Sequence, residues 1–135
     1  MTLKANIIGI GSAIPKQKIT NQYFVDLGLD TSDQWITERT GIKQRYYTTE
    51  NESSIDLAYK ASIKAIQSAN IEAKDIDLII VATTTPDYLA FPSTACLLQE
   101  KLQTKHIMSF DLSAACSGFS YALNVASQFI ENNTH

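Results

Sequence analysis

Short apolar runs rich in β-branched residues alternate along the chain with stretches of helical periodicity. The runs predict buried strands at 5–10 (ANIIGI) and 76–85 (IDLIIVATTT), and SFDLS at 109–113 predicts the end of another strand. The run at 76–85 is apolar on both faces, which favours a central position in a parallel sheet. Strands that alternate with helices predict an α/β fold with a largely parallel sheet and helices on both of its faces.

Capping residues and helical periodicity predict the helices. The clearest is SSIDLAYKASIKAIQSAN, which Ser53 opens with Asp56 three residues later. One face of this helix carries small and apolar residues at helical spacing, namely Ile55, Ala58, Ser62, Ile66 and Ala69. Further helices are expected at 21–28, at 31–41 with Thr31 and Gln34 as a capping box and Gly41 as the stop, at 93–102 and at 115–131, with a polar loop at 46–52.

Composition narrows the possible classes of function. The chain has 135 residues, 44% hydrophobic and 19% charged, which is typical of one globular domain. The net charge is −3 and Lys and Arg form no stripe, so nucleic acid is not an expected partner. No apolar run approaches the roughly 20 residues that span a bilayer, and the short N-terminal run lacks a clear cleavage site for a signal peptide. We therefore expect a cytoplasmic protein whose Cys96 and Cys116 are thiols.

Cys116 lies where the predicted strand at 109–113 passes into a predicted helix, among the small residues Ala114, Ala115, Ser117 and Gly118. Sites in α/β sheets favour the carboxyl ends of strands. A helix N-terminus favours a thiolate and offers N–H groups to an oxyanion. Two interpretations stay open from these residues alone, a nucleophile that accepts an acyl group or a small residue at a tight junction. Cys96, expected in the middle of a helix beside two leucines, is interpreted as a packing residue.

Three segments resemble the β-ketoacyl-acyl carrier protein synthases III, which are thiolase-fold condensing enzymes. The segments are TSDQWITERTGIKQR at 31–45, VATTTPDYLAFPSTAC at 81–96 and DLSAACSGFSYAL at 111–123. The resemblance covers essentially the whole chain. It implies that residues 1–135 form the N-terminal half of a thiolase-like fold and that the C-terminal half is absent.

The resemblance implies an acyltransferase that initiates type II fatty acid biosynthesis. Cys116 would be the catalytic nucleophile that takes an acetyl or other short acyl group from acyl-CoA. Condensation with malonyl-acyl carrier protein would then give a β-ketoacyl carrier protein, CO2 and CoA. The implied partners are acyl-CoA, malonyl-acyl carrier protein and a second copy of the enzyme in a homodimer. Acyl-CoA is implied as a substrate, and no metal or other cofactor is expected.

Four other residues match family positions that contact substrate. Trp35 and Arg39 match the pair that holds the CoA adenine between an indole and a guanidinium, and a four-residue spacing puts them on one helix face. The alternative is a core tryptophan and a surface charge. Thr31 matches a position near the CoA site, although capping is its expected role. Phe91 matches a loop residue that walls the acyl pocket across the dimer interface; the alternative is an aromatic packed on its own domain.

The chain also departs from the family. Family members are considerably longer, and their carbanion-stabilising histidine and asparagine lie in the second half. His106 precedes a strand at the end far from Cys116, and His135 is the last residue, so neither is expected to be that histidine. We expect a fragment of a longer synthase, ahead of a truncated product or one chain of a split enzyme, and expect no β-ketoacyl product from this chain alone. Two other functions stay open, a non-catalytic CoA-binding or dimerising module and a secondary-metabolite condensing enzyme of the same fold.

Overall fold

The computed structural model describes residues 4–132, which divide into two units. Residues 14–53 form the smaller unit, and residues 4–13 with 54–132 form the larger one. Between residues 4 and 132, no helix has both the length and the apolar character that crossing a membrane requires.

The smaller unit is built on a pair of antiparallel strands. β1 (Gln17–Thr20) pairs with β2 (Gln44–Tyr47), with Gln17 opposite Tyr47. Two helices lie between them in the chain, α1 (Gln22–Asp26) and α2 (Asp33–Thr40). Both helices were predicted, but both strands were missed, and the loop predicted at 46–52 begins inside β2. In β1 only Ile19 is buried, so a strand of four residues gives no alternation long enough to recognise.

The larger unit contains the predicted parallel strands. β3 (Leu78–Ala82) pairs in parallel with β4 (Met108–Leu112), with Leu78 opposite Met108. Its helices are α3 (Ser54–Ala69), α4 (Thr94–Leu102) and α5 (Gly118–Glu131). Single 3-10 turns at Ala73–Asp75 and Ala115–Ser117 precede β3 and α5. The strands predicted at 76–85 and 109–113 and the helices predicted from Ser53, at 93–102 and at 115–131 are therefore confirmed in position.

Helices cover both faces of the parallel pair, as predicted. On one face, Ile79 of β3 packs with buried residues of α4, namely Ala95, Leu98 and Leu102. Ile80 and Ala82 of β3 point to the other face, since side chains alternate along a strand. A Cβ placed on Gly118 would lie 3.3 Å from the Ala82 Cβ. The start of α5 therefore lies against the second face, at the carboxyl end of β3.

Two carboxylates from other elements hold the N-termini of α3 and α4. Asp87 accepts hydrogen bonds from Ser54 N–H (3.0 Å) and Ile55 N–H (2.9 Å). Asp111 of β4 accepts from Thr94 N–H and Ala95 N–H, both at 2.8 Å. Each carboxylate satisfies two N–H groups that have no partner within the helix, and each lies at the positive end of the helix dipole.

The strand predicted at 5–10 is wrong. Among residues 4–132, no strand pairs with this segment, and Ile7, Ile8 and Ile10 are exposed. The segment instead crosses α3 at very short range. A Cβ on Gly9 would lie 2.5 Å from the Ala65 carbonyl oxygen and one on Gly11 would lie 2.5 Å from Ala65 N. An apolar run alone did not distinguish a strand from an extended segment packed on small helix residues.

Gly11→Ala tests this close approach. The new methyl group would overlap the backbone of α3, which cannot move as the tip of a flexible side chain could, so we expect a loss of about 2 kcal/mol in unfolding free energy. Ser12→Ala, at the neighbouring exposed position, is the matched control. Urea denaturation followed by circular dichroism measures both. Equal midpoints for the two variants would show that the segment does not lie against α3.

Candidate active site

Cys116 lies in the turn that joins β4 to α5. It is the middle residue of the 3-10 turn Ala115–Ser117, which starts three residues after β4 ends, and its side chain is exposed. Ala115 adopts a φ of 45°, a left-handed conformation that costs an alanine of the order of 1 kcal/mol or more. The backbone is thus strained at the residue directly before the sulfur. The sequence placed Cys116 in the first turn of the helix, and the structure places it just before α5.

The hydrogen bonds of this turn determine which N–H groups are available near the sulfur. Ser117 N–H donates to the Ala114 carbonyl (3.0 Å), and Gly118 N–H donates to the Ala115 carbonyl. These two groups are therefore not free for an oxyanion, contrary to the simple expectation for a helix start. The bonds that form the turn do not use the N–H of Cys116 itself.

A groove of about 1000 Å³ opens beside Cys116. Near the sulfur its wall is made by small residues, Ala82, Ala115 and Gly118. Further along, it is lined by apolar side chains of β3 and α5, including Ile80, Phe119, Leu123 and Phe129. The space inferred from the small neighbours of Cys116 is therefore present, and it continues into an apolar channel rather than ending at the turn.

Cys96 is not the buried packing residue that the sequence predicted. It is the third residue of α4 rather than a mid-helix residue, and it is exposed. Its N–H donates to Ser93 Oγ (3.2 Å) and its thiol donates to the Ser109 carbonyl (3.7 Å). Ala95 and Leu98 of α4 face the core. Cys96 lies on another side of the helix and is exposed. Both cysteines are free thiols, as predicted.

Trp35 and Arg39 stack on each other in the smaller unit. The guanidinium carbon of Arg39 lies 4.4 Å from the centroid of the Trp35 indole, and half of the Trp35 surface is exposed. The prediction that they share one face of a helix is confirmed. The alternative of a core tryptophan is excluded by its exposure.

The capping box predicted for α2 is wrong. Ser32 is the N-cap, and its Oγ accepts from Trp35 N–H (3.0 Å). Gln34 donates to Glu38 instead (2.7 Å). The Thr31 N–H donates to the Leu29 carbonyl (2.8 Å), and the Thr31 hydroxyl has no partner within the described residues. Thr31 and Ser32 both carry a hydroxyl that can cap a helix, so the sequence left the N-cap uncertain by one position. The predicted end of the helix at Gly41, with a φ of 71°, is confirmed.

Phe91 is exposed in the loop between β3 and α4, with 90% of its surface accessible. Phe91 therefore does not pack on the residues that the structure describes. It is not among the residues that line the groove at Cys116. His106 lies before the start of β4, at the end opposite to the Cys116 turn, as expected. His135 lies outside the described residues.

Sequence reasoning missed the residues that hold the site in place. Asp111 is an acid between Phe110 and Leu112 in an apolar strand, and a charge in such a position is itself a signal for a buried hydrogen-bonding role. Asp87 carries a weaker signal, because an aspartate after a proline is also typical of a turn. Within residues 4–132, no cluster of three or more His, Cys, Asp or Glu side chains could hold a metal ion.

The larger unit has a parallel pair of strands with helices on both faces and a cysteine at a strand-to-helix turn, which fits the class expected from the sequence, the thiolase-like fold of condensing enzymes. The sequence model described as 3-oxoacyl-[acyl-carrier-protein] synthase III matches residues 110–135. The β-ketoacyl-[acyl-carrier-protein] synthase III of Clostridioides difficile is 47% identical over 135 residues. The alignment covers 100% of this chain and 40% of that protein, so the chain spans well under half of this curated relative.

Solved structures agree with the sequence comparison. The 3-oxoacyl-[acyl-carrier-protein] synthase III of Aquifex aeolicus matches with a TM-score of 0.90 and 47% identity, over 97% of this chain and 41% of that one. The priming β-ketosynthase of the R1128 polyketide pathway matches with a TM-score of 0.87 but only 29% identity, over 97% and 39% of the two chains. The resemblance inferred from the sequence is confirmed: nearly the whole of this chain is similar to part of the β-ketoacyl-[acyl-carrier-protein] synthases III.

Alkylation with iodoacetamide compares the two cysteines. Both are exposed, so a difference in rate reports on reactivity rather than on access. We expect Cys116 to react about tenfold faster or more, because the Cys96 thiol is engaged with the Ser109 carbonyl, whereas Cys116 lines the open groove. Peptide mass mapping over a time course measures both rates. Equal, slow rates would favour a non-catalytic module.

Proposed function

We propose that Cys116 accepts a short acyl group from acyl-CoA, as the first step of a β-ketoacyl-acyl carrier protein synthase III reaction. The observation that carries the proposal is the exposed sulfur in a strained turn at the carboxyl end of β4, beside a groove with small residues at its mouth. Small neighbours leave room for a thioester carbonyl to approach. The similarity of the whole chain to synthases III supports the same function.

The acyl transfer follows from nucleophilic catalysis. The Cys116 sulfur, as a thiolate, attacks the carbonyl carbon of acyl-CoA and a new sulfur–carbon bond forms. The bond to the CoA sulfur then breaks, and CoA leaves as a thiolate that takes up a proton. During attack the carbonyl oxygen becomes negative, and the Cys116 N–H, which the turn does not use, is the donor that this chain offers to it. The acyl chain would extend into the apolar part of the groove.

Trp35 and Arg39 are proposed to bind the adenine of CoA. In the present geometry the guanidinium covers one face of the indole, so an adenine would displace it, stack on its outer side or stack on the other face of the indole. Both planar groups offer a flat surface to a base. Thr31 is proposed near this site on the resemblance alone.

The later steps and partners are proposals for the longer protein to which this chain is homologous. Malonyl-acyl carrier protein would bind after CoA leaves and would be decarboxylated to a carbanion that attacks the thioester. Phe91 is proposed to reach a second copy of the enzyme in a homodimer, which its 90% exposure supports. We place this chemistry in the cytoplasm, where free thiols such as Cys96 and Cys116 persist.

A condensing enzyme of secondary metabolism is the second candidate, because the R1128 priming β-ketosynthase shares the fold closely. The higher identity to synthases III, 47% against 29%, favours fatty acid synthesis. Incubation with a panel of acyl-CoA donors, followed by intact-mass spectrometry, shows which acyl groups load on the protein and so separates the two candidate functions.

Cys116→Ser tests the proposed nucleophile. A serine hydroxyl is a much weaker nucleophile at neutral pH than a thiolate, so we expect covalent loading by acetyl-CoA to disappear. Intact-mass spectrometry of the protein after incubation detects the acetyl adduct. Cys96→Ser is the matched control and should load as the unchanged protein does. Persistent loading in Cys116→Ser, or its loss only in Cys96→Ser, would refute the assignment.

A further inference from the structure

Asn21 lies completely buried in the smaller unit, with 0% of its surface exposed. It occupies the N-cap position of α1, a position that asparagine favours because its side chain can bond the helix N–H groups. Here the side chain makes no such bond to α1. Its carboxamide is directed to α2 instead.

The Asn21 amide nitrogen contacts α2 and the residue just beyond it. It donates to Asp33 Oδ1 (2.8 Å), to the Ile42 carbonyl (2.8 Å) and, at longer range, to Thr37 Oγ1 (3.3 Å). A carboxylate and a backbone carbonyl only accept hydrogen bonds, so the atom that faces them must be the nitrogen. The Asn21 side chain thus bonds to the first turn of α2 at Asp33, to the middle of α2 at Thr37 and to the segment after α2 at Ile42.

These bonds matter because α2 has little other anchorage within residues 4–132. None of its eight described residues, Asp33–Thr40, is buried. Asp33 and Thr37 lie one turn apart on one face of the helix. Trp35 and Arg39 lie about 200° further round, on the opposite side, because each residue advances the helix by about 100°. The bonds to Asn21 therefore hold the side of α2 that lies opposite the Trp35–Arg39 stack.

We propose that Asn21 is a positioning residue for the CoA adenine site: by holding α2 through Asp33, Thr37 and the Ile42 carbonyl, it presents Trp35 and Arg39 to the nucleotide. The inference rests on the proposed function, since it takes Trp35 and Arg39 as the adenine site. Asn21 touches neither the adenine nor the reacting atoms in this account. Its effect should therefore appear with donors that carry the nucleotide and not with donors that lack it.

Asn21→Asp is the test variant, because it keeps the shape of the side chain and replaces the donor by an acceptor. The new oxygen would face the Asp33 carboxylate and the Ile42 carbonyl, both of which repel it. We expect loading of Cys116 from acetyl-CoA to slow about tenfold at low donor concentration. Loading from acetyl-pantetheine, which lacks the adenine, should stay within about twofold. Asn51→Asp makes the same chemical change at an exposed position of the same unit and should slow neither reaction.

A rescue variant separates positioning from general damage to the fold. In Asn21→Asp with Asp33→Asn, the new amide at position 33 can donate to the new carboxylate, so part of the lost acetyl-CoA rate should return. An equal fall with both donors, or no recovery in the double variant, would overturn the positioning role. So would an acetyl-CoA rate in Asn21→Asp equal to that of Asn51→Asp.

Fluorescence of Trp35 tests the adenine site and the anchoring of α2 by Asn21 separately. Trp35 is the only tryptophan of the chain, so its emission reports on α2 alone. If CoA leaves the emission of the unchanged protein unaltered, the adenine site at Trp35 is wrong. Quenching by acrylamide needs no CoA, and it should increase in Asn21→Asp as α2 loses its anchor. Equal quenching in the two proteins would overturn the anchoring itself.

Discussion

The carboxylate of Asp111 joins a strand of the larger unit to the start of a helix. It projects from β4 and accepts hydrogen bonds from Thr94 and Ala95 at the start of α4. A charge in this partly buried position would be costly without such donors, and the positive end of the helix stabilises it further. Only two residues separate the end of β4 from the turn that holds Cys116, so we expect the place of the sulfur to depend on where Asp111 holds this strand.

Other helices of the chain are also held by a polar side chain that lies outside the helix. Asp87 holds the start of α3 as Asp111 holds the start of α4, and Asn21 holds α2 from outside that helix. Buried apolar residues are few among those described, namely Ile19, Ile79, Ala95, Leu98 and Leu102. The apolar groove along α5 is open rather than filled. Within residues 4–132, Asp87, Asp111 and Asn21 therefore hold helices that few buried apolar residues support.

Much of the larger unit could be predicted because its signals are local. The run around Ile79, the capping residue Ser93 and the small residues around Cys116 each specify their own element. The predictions that failed are those that depend on contacts between residues distant in sequence. The segment at 5–10 has the composition of a strand but no strand beside it, and the strands β1 and β2 are too short for a pattern to identify. The burial of Asn21 and the exposure of Cys96 depend likewise on tertiary contacts that periodicity does not record.

The rate of acetyl loading on Cys116 in Asp111→Asn tests most directly whether this carboxylate positions the proposed nucleophile. The amide keeps one acceptor and loses the charge, so one of the two helix N–H groups loses its partner. The account predicts loading from acetyl-CoA about tenfold slower than in Asp30→Asn, a matched change at an exposed position of the other unit. Equal rates in the two variants, measured by intact-mass spectrometry over time, would contradict it.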